Sequence, residues 1–162
     1  MNDAFSPIPL SDTQEGPFRR LAFRTADTVC SVQIDLLLEG DIIRKVQYTK
    51  GCHGNTQGVA SLCEGMKVQE VINRLGGIDC HGRGTSCPDQ LARSLRLARI
   101  QEMERNYDEA LAGREDVLDA LRAYMDSGEW LSDFEADERG EIPPQIKRGV
   151  LSEDGLYNLL NG

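Results

Sequence analysis

The chain of 162 residues has no apolar run approaching the about 18 residues that a membrane-crossing helix needs. Its first stretch, MNDAFSPIPLSDTQEGPFRR, lacks a basic start followed by an apolar core, which argues against a secretion signal. A cytoplasmic protein is therefore expected, with residues 1–16 as a flexible N-terminal arm. GxGxxG spacing is missing and nothing resembles a Walker sequence, so no nucleotide-binding loop is legible. There is no internal repeat and no low-complexity tract. Most telling, no two cysteines stand two residues apart, the spacing that marks compact zinc knuckles.

What is present is acidic and unevenly distributed. The formal net charge is -9, with 9 basic and 11 acidic residues in 1–90 against 9 and 16 in 91–162. The acidic second half argues against nonspecific binding to a phosphate backbone. Five cysteines accompany two histidines, and every one of them precedes residue 98. In a chain expected inside the cell, such cysteines point to metal, catalysis or burial rather than to a disulfide framework.

Two extended runs, VCSVQIDLLLEG and DIIRKVQY, flank the turn Glu39-Gly40-Asp41 and read as a hairpin. On the first, Cys30, Val32, Ile34 and Leu36 share one phase. Phe18–Thr25 is a further candidate strand. Helices are expected over residues 56–64, with Val59, Leu62, Cys63 and Met66 near one face, and over residues 67–75, stopped by Gly76-Gly77. The segment TSCPDQLARSL begins another helix: Thr85 or Ser86 can cap, Pro88 fits the first turn, and Asp89 complements the positive helix end. Beyond residue 99, amphipathic helices form a hairpin bent around Gly113. Ser152 is placed to cap a last short helix.

Four cysteines fall at element edges: Cys30 at a strand start, Cys52 after a strand, Cys80 in a loop, and Cys87 at a helix start. Soft thiolates from four edges can close a tetrahedral zinc site. A redox pair, Cys80 with Cys87, and simple burial stay open on spacing alone. Cys63 lies inside a helix beside apolar neighbours and reads as core. His53 and His81, each following a cysteine, read equally as ligands, as second-shell donors or as solvent-facing loop residues. Arg83 could stabilise thiolates or bind an anion, against the plainer reading of a solvated side chain. Asp133, Glu135, Asp137, Glu138 and Glu141 do not match calcium-loop spacing and read as a solvated or partner-binding face. Trp130 and Phe134 would anchor this segment to the preceding helices.

The sequences around Cys30-Ser31, GCHGNTQGVASLCEGM and IDCHGRGTSCPDQLARSL together resemble the TSCPD domain over about residues 17–98. That domain occurs alone in bacteria and at the C-terminal end of many adenosylcobalamin-dependent ribonucleotide reductases. The resemblance implies that Cys30, Cys52, Cys80 and Cys87 form one site for zinc and that Cys63 is apart from it; an iron–sulfur cluster is the alternative that the order of elements suggests. His81 departs from it, since glycine is usual there. IQEMERNYDEAL and SGEWLSDFEADERGEIPPQIKRGVLSEDGLYNLL resemble a small bacterial domain of unknown function over about residues 99–162.

The expectation is therefore an α+β protein: a small antiparallel sheet with helices on one face, followed by an acidic helical hairpin domain. The order of its elements is similar to that of the iron–sulfur scaffold proteins. Its expected function is a zinc-binding accessory or interaction module related to the C-terminal domain of ribonucleoside-diphosphate reductase. A chain this short cannot hold the barrel and radical site of a reductase catalytic subunit, so no reductase catalysis of its own is expected. The alternatives are a thiol–disulfide accessory of ribonucleotide reduction and an iron–sulfur scaffold or carrier. A protein partner is expected, with a nucleotide-reducing enzyme as the candidate; homodimer formation is left open.

Overall fold

The computed structural model describes residues 4–162; the first three residues of the expected arm lie outside the described residues. The chain divides into two compact units, one ending at Arg96 and the other spanning Leu97–Gly162. The class is α+β, an antiparallel four-stranded sheet followed by helices.

In the first unit, β1 (Ile8–Glu15), β2 (Phe18–Arg24), β3 (Ser31–Glu39) and β4 (Ile42–Lys50) pair in sequence order. Residues 8–15 are thus a strand, where the sequence suggested an arm. The reason is visible in β1, whose last six residues are all exposed. An edge strand without a buried face has no alternation to reveal it. Its pairing is instead set by the turn, where Gly16 at φ 61° lies between the partners Glu15 and Phe18. The buried Arg19 then clamps the strand by donating from Nε to Asp12 Oδ1 at 2.9 Å and from Nη2 to Oδ2 at 2.7 Å.

The β3–β4 hairpin turns at Gly40 as expected, with Glu39 opposite Ile42. Its facing is not as expected. Ile34, Leu36 and Leu38 are buried, but Val32 is 44% exposed. The register slips between Ser31 and Gln33, so Val32 is an extra residue on its strand. That bulge reverses the facing ahead of it: Ser31 is buried and Cys30 is exposed. Cys30 thereby leaves the core phase and stands at the end of the sheet.

Helix α1 (His53–Cys63) packs against β4 through Thr56, Ala60 and Cys63, spaced four and three apart. Leu62, expected on that face, is 77% exposed, because the small residues rather than the bulky ones allow close approach to the strand. Helix α2 (Val68–Leu75) buries Val68, Val71 and Ile72, and the Gly76 N–H closes it on Ile72 O at 3.0 Å. Helix α3 (Cys87–Leu111) begins in the first unit and continues into the second.

The second unit adds α4 (Leu118–Asp126), α5 (Glu129–Glu138), a 3-10 turn at Gly149–Leu151 and α6 (Glu153–Asn161). Ser152 caps α6, its Oγ accepting the Gly155 N–H at 3.2 Å. The acidic run is the solvated face that its composition suggested at Glu135 and Glu138, but not at Asp133. Asp133 is fully buried, where it accepts from Arg99 Nε at 2.9 Å, Arg99 Nη2 at 2.6 Å and Tyr124 Oη at 2.8 Å. Asp137 accepts from Arg148. Trp130 stacks on Phe134 at 5.1 Å and donates to Val150 O at 2.9 Å, so it anchors α5 to the segment that follows it. Glu104 Oε2 accepts the Val150 N–H at 2.7 Å, fixing that segment on α3.

Burial, then the charge of Asp133, pushes the Tyr124 phenol far above its usual range. A raised folded-state pKa contributes stability below the unfolded value of about 10, and that contribution is lost as pH rises beyond it. Unfolding followed by Trp130 fluorescence should therefore show stability falling above about pH 10, and falling less steeply in Tyr124→Phe. Equal slopes in both proteins would contradict this coupling.

Candidate metal centre

The segment Thr85–Gln90 opens α3, and its polar side chains are committed to the scaffold. Ser86 Oγ accepts the Asp89 N–H at 3.1 Å, which places Cys87 in the first helical position. Asp89, 2% exposed, accepts from Gly77 N at 2.7 Å, Thr85 Oγ1 at 2.6 Å and Arg93 Nε at 2.8 Å. It ties the end of α2 to the start of α3. Gln90 accepts the Ala26 N–H at 2.9 Å and donates to Phe5 O at 2.6 Å, tying the same helix start to the β2–β3 loop and the chain ahead of β1. Tyr48 donates from β4 to the Cys87 carbonyl at 2.8 Å. Burial, followed by the Cys87 and Cys63 charges, pushes this phenol far up, so it stays a donor. Cys87 is thus held from three sides by groups other than its thiol.

The other cysteines approach the same end of the sheet. Cys30 directly precedes Ser31, and Ser31 pairs with Lys50 across β3 and β4. The Cys87 thiol donates to Ser31 Oγ at 3.2 Å, which brings the start of α3 to this strand end. Two residues past Lys50, Cys52 occupies the N-cap of α1 without a side-chain capping bond. The turn between them is sharp: Lys50 has φ 61° and Gly51 φ 100°. A Cβ on Gly51 would meet Thr56 Cγ2 at 2.9 Å, so only glycine lets α1 start this close to the strand.

Cys80 opens a loop that folds back on the start of α3, its N–H donating to Thr85 O at 3.1 Å. Asp79 braces that loop, accepting from Gly82 N at 2.5 Å and Gly84 N at 2.6 Å. The sequence reading passed over Asp79, although an aspartate ahead of closely spaced glycines is a turn signal. Arg83, at the loop's tip, donates from Nη1 to Cys30 Sγ at 3.5 Å. That bond, and then the nearby sulfur of Cys30, hold the guanidinium above its usual range. The Arg83 backbone N–H donates to Cys80 O at 3.2 Å, so Arg83 links the Cys80 loop to Cys30.

All five cysteines are free. Cys63 is 4% exposed and burial pushes its thiol up, in keeping with a core residue. His53 is exposed and its ring meets Gln57 Nε2 at 3.0 Å, and His81 sits exposed at φ 56°. Among the described residues, no three His, Cys, Asp or Glu side chains stand at coordination spacing. The donor set fits zinc in its chemistry, with four free cysteines and no carboxylate among them.

The first unit is a small α+β module in which Cys30, Cys52 and Cys87 lie near the end of the β3–β4 pair. The family model described as TSCPD domain matches residues 13–99, just over half of the chain, and the chain belongs to that family. A second family model, Domain of unknown function (DUF4298), matches residues 100–162. Comparisons with curated proteins and with solved structures find no match. Among the described residues, no helix is long and apolar enough to cross a membrane.

Proposed function

We propose that this protein is a zinc-binding accessory module in which Cys30, Cys52, Cys80 and Cys87 hold one metal ion. The observation that supports the reading is that Cys30, Cys52 and Cys87 stand near one end of the β3–β4 pair and the Cys80 loop reaches Cys30 through Arg83, with the fifth cysteine sequestered in the core. The metal, once bound, would supply a covalent cross-link between those elements rather than a reactive centre, since four protein ligands leave no open position. The residues contribute the rest: the Val32 bulge turns Cys30 outward, Gly51 sets Cys52 at a helix start, Asp79 shapes the Cys80 loop, and Asp89 with Gln90 fixes Cys87.

Membership of the TSCPD family, together with the domain's place in cobalamin-dependent reductases, supports a partner among nucleotide-reducing enzymes. The acidic helical half, with 16 acidic residues in 91–162, would offer the interaction surface. The chain itself performs no reduction in this reading. Protein purified anaerobically and without chelator should contain about one zinc per chain, lost in Cys87→Ser and retained in Cys63→Ser. Elemental analysis against protein concentration decides it: metal-free wild-type protein sinks the proposal, and iron with sulfide in place of zinc would favour a cluster carrier.

A further inference from the structure

We propose that Arg83 is the counter-cation of the thiol site, donating to the Cys30 sulfur and offsetting the negative charge of the metal–thiolate complex. This inference rests on the zinc reading and deepens it. Four thiolates around a divalent ion leave a net charge of about -2, and such sites depend on donors outside the ligand shell. The chain offers few candidates. Lys50 and His53 lie near Cys52, but His53 is engaged with Gln57. Arg83 is the cation whose guanidinium contacts a ligand sulfur, at 3.5 Å.

Its placement is built. The Arg83 N–H donates to Cys80 O at 3.2 Å, and the amides on either side of it, Gly82 and Gly84, are both held by Asp79. The loop therefore aims Arg83 across from the Cys80 side to Cys30. Among the described residues no carboxylate pairs with Arg83, so sulfur is its electrostatic partner. As a positioning residue, Arg83 would act through Cys30 and never touch the metal.

The test is a zinc competition titration of the reduced full-length chain against a chromophoric chelator, at low and high salt. Arg83→Gln should bind zinc about 10–100-fold more weakly than wild type. Arg83→Lys, which keeps the charge, should recover much of that loss, and the gap to Arg83→Gln should narrow in high salt. Circular dichroism of the metal-free proteins should be superimposable, since the side chain is exposed. If Arg83→Gln binds as tightly as wild type, the role of Arg83 is overturned and the zinc site stands. If Arg83→Lys is as weak as Arg83→Gln at both salt concentrations, the charge argument fails. Zinc binding by none of the proteins overturns both readings. Should Arg83→Gln disturb the loop, wild type alone still decides: its zinc affinity should fall as salt rises, and a salt-independent affinity overturns the charge role.

Discussion

Asp133→Ala is expected to lower the stability of the second unit by about 3–5 kcal/mol, the usual cost of breaking a buried ion pair from one side. The carboxylate is completely shielded from solvent and accepts three hydrogen bonds. Its removal takes the bidentate partner from the buried Arg99 guanidinium, whose Nη1 also lies 3.8 Å from Glu129 Oε1. Burial alone would push that guanidinium's pKa down; the Asp133 bond and charge outweigh it and hold it up. Tyr124 also loses its acceptor. Asp133→Asn preserves the shape but not the charge, so it should fall between the two. Denaturant unfolding read by Trp130, the sole tryptophan, measures the effect on this unit. A loss below about 1 kcal/mol would mean that the pair is no better than a surface salt bridge.

The second large effect concerns Asp89. Asp89→Ala strips the partner from the Gly77 N–H, the Thr85 hydroxyl and Arg93 in a nearly dry environment. Each orphaned buried donor costs about 1–3 kcal/mol, so a combined loss of roughly 3–5 kcal/mol is expected. The consequence reaches function, because Asp89 joins the end of α2 to the helix that presents Cys87. Zinc affinity should fall together with thermal stability in Asp89→Ala. Unchanged affinity in a destabilised protein would show that Tyr48, Ser86 and Gln90 place Cys87 without Asp89.

Much of this architecture is legible from residue chemistry. The hairpin at Gly40, the stop at Gly76-Gly77, the cap at Ser152 and the helix start at Cys87 all follow from local rules, because local backbone geometry decides them. What escaped is what depends on distant partners. The edge strand β1 has no buried face and borrows its conformation from β2. Cys30 falls on the core phase by counting, and only the bulge at Val32 turns it out. Asp133 is indistinguishable in sequence from its exposed neighbours, since burial there is set by Arg99, thirty-four positions away. Of the candidate site, the family motif names the thiols and the helix start shows why Cys87 is presented. The roles of Asp79 and Arg83 emerge only once the Cys80 loop is folded against the sheet end.

The central claim is a single four-thiolate zinc site. Zinc X-ray absorption on the anaerobically purified full-length chain tests it most directly. Four sulfur neighbours at about 2.3 Å are predicted, unchanged in Cys63→Ser, with zinc lost or its sulfur shell reduced to three in Cys30→Ser and in Cys80→Ser as in Cys87→Ser. A first shell dominated by nitrogen or oxygen, or no bound zinc, would contradict it.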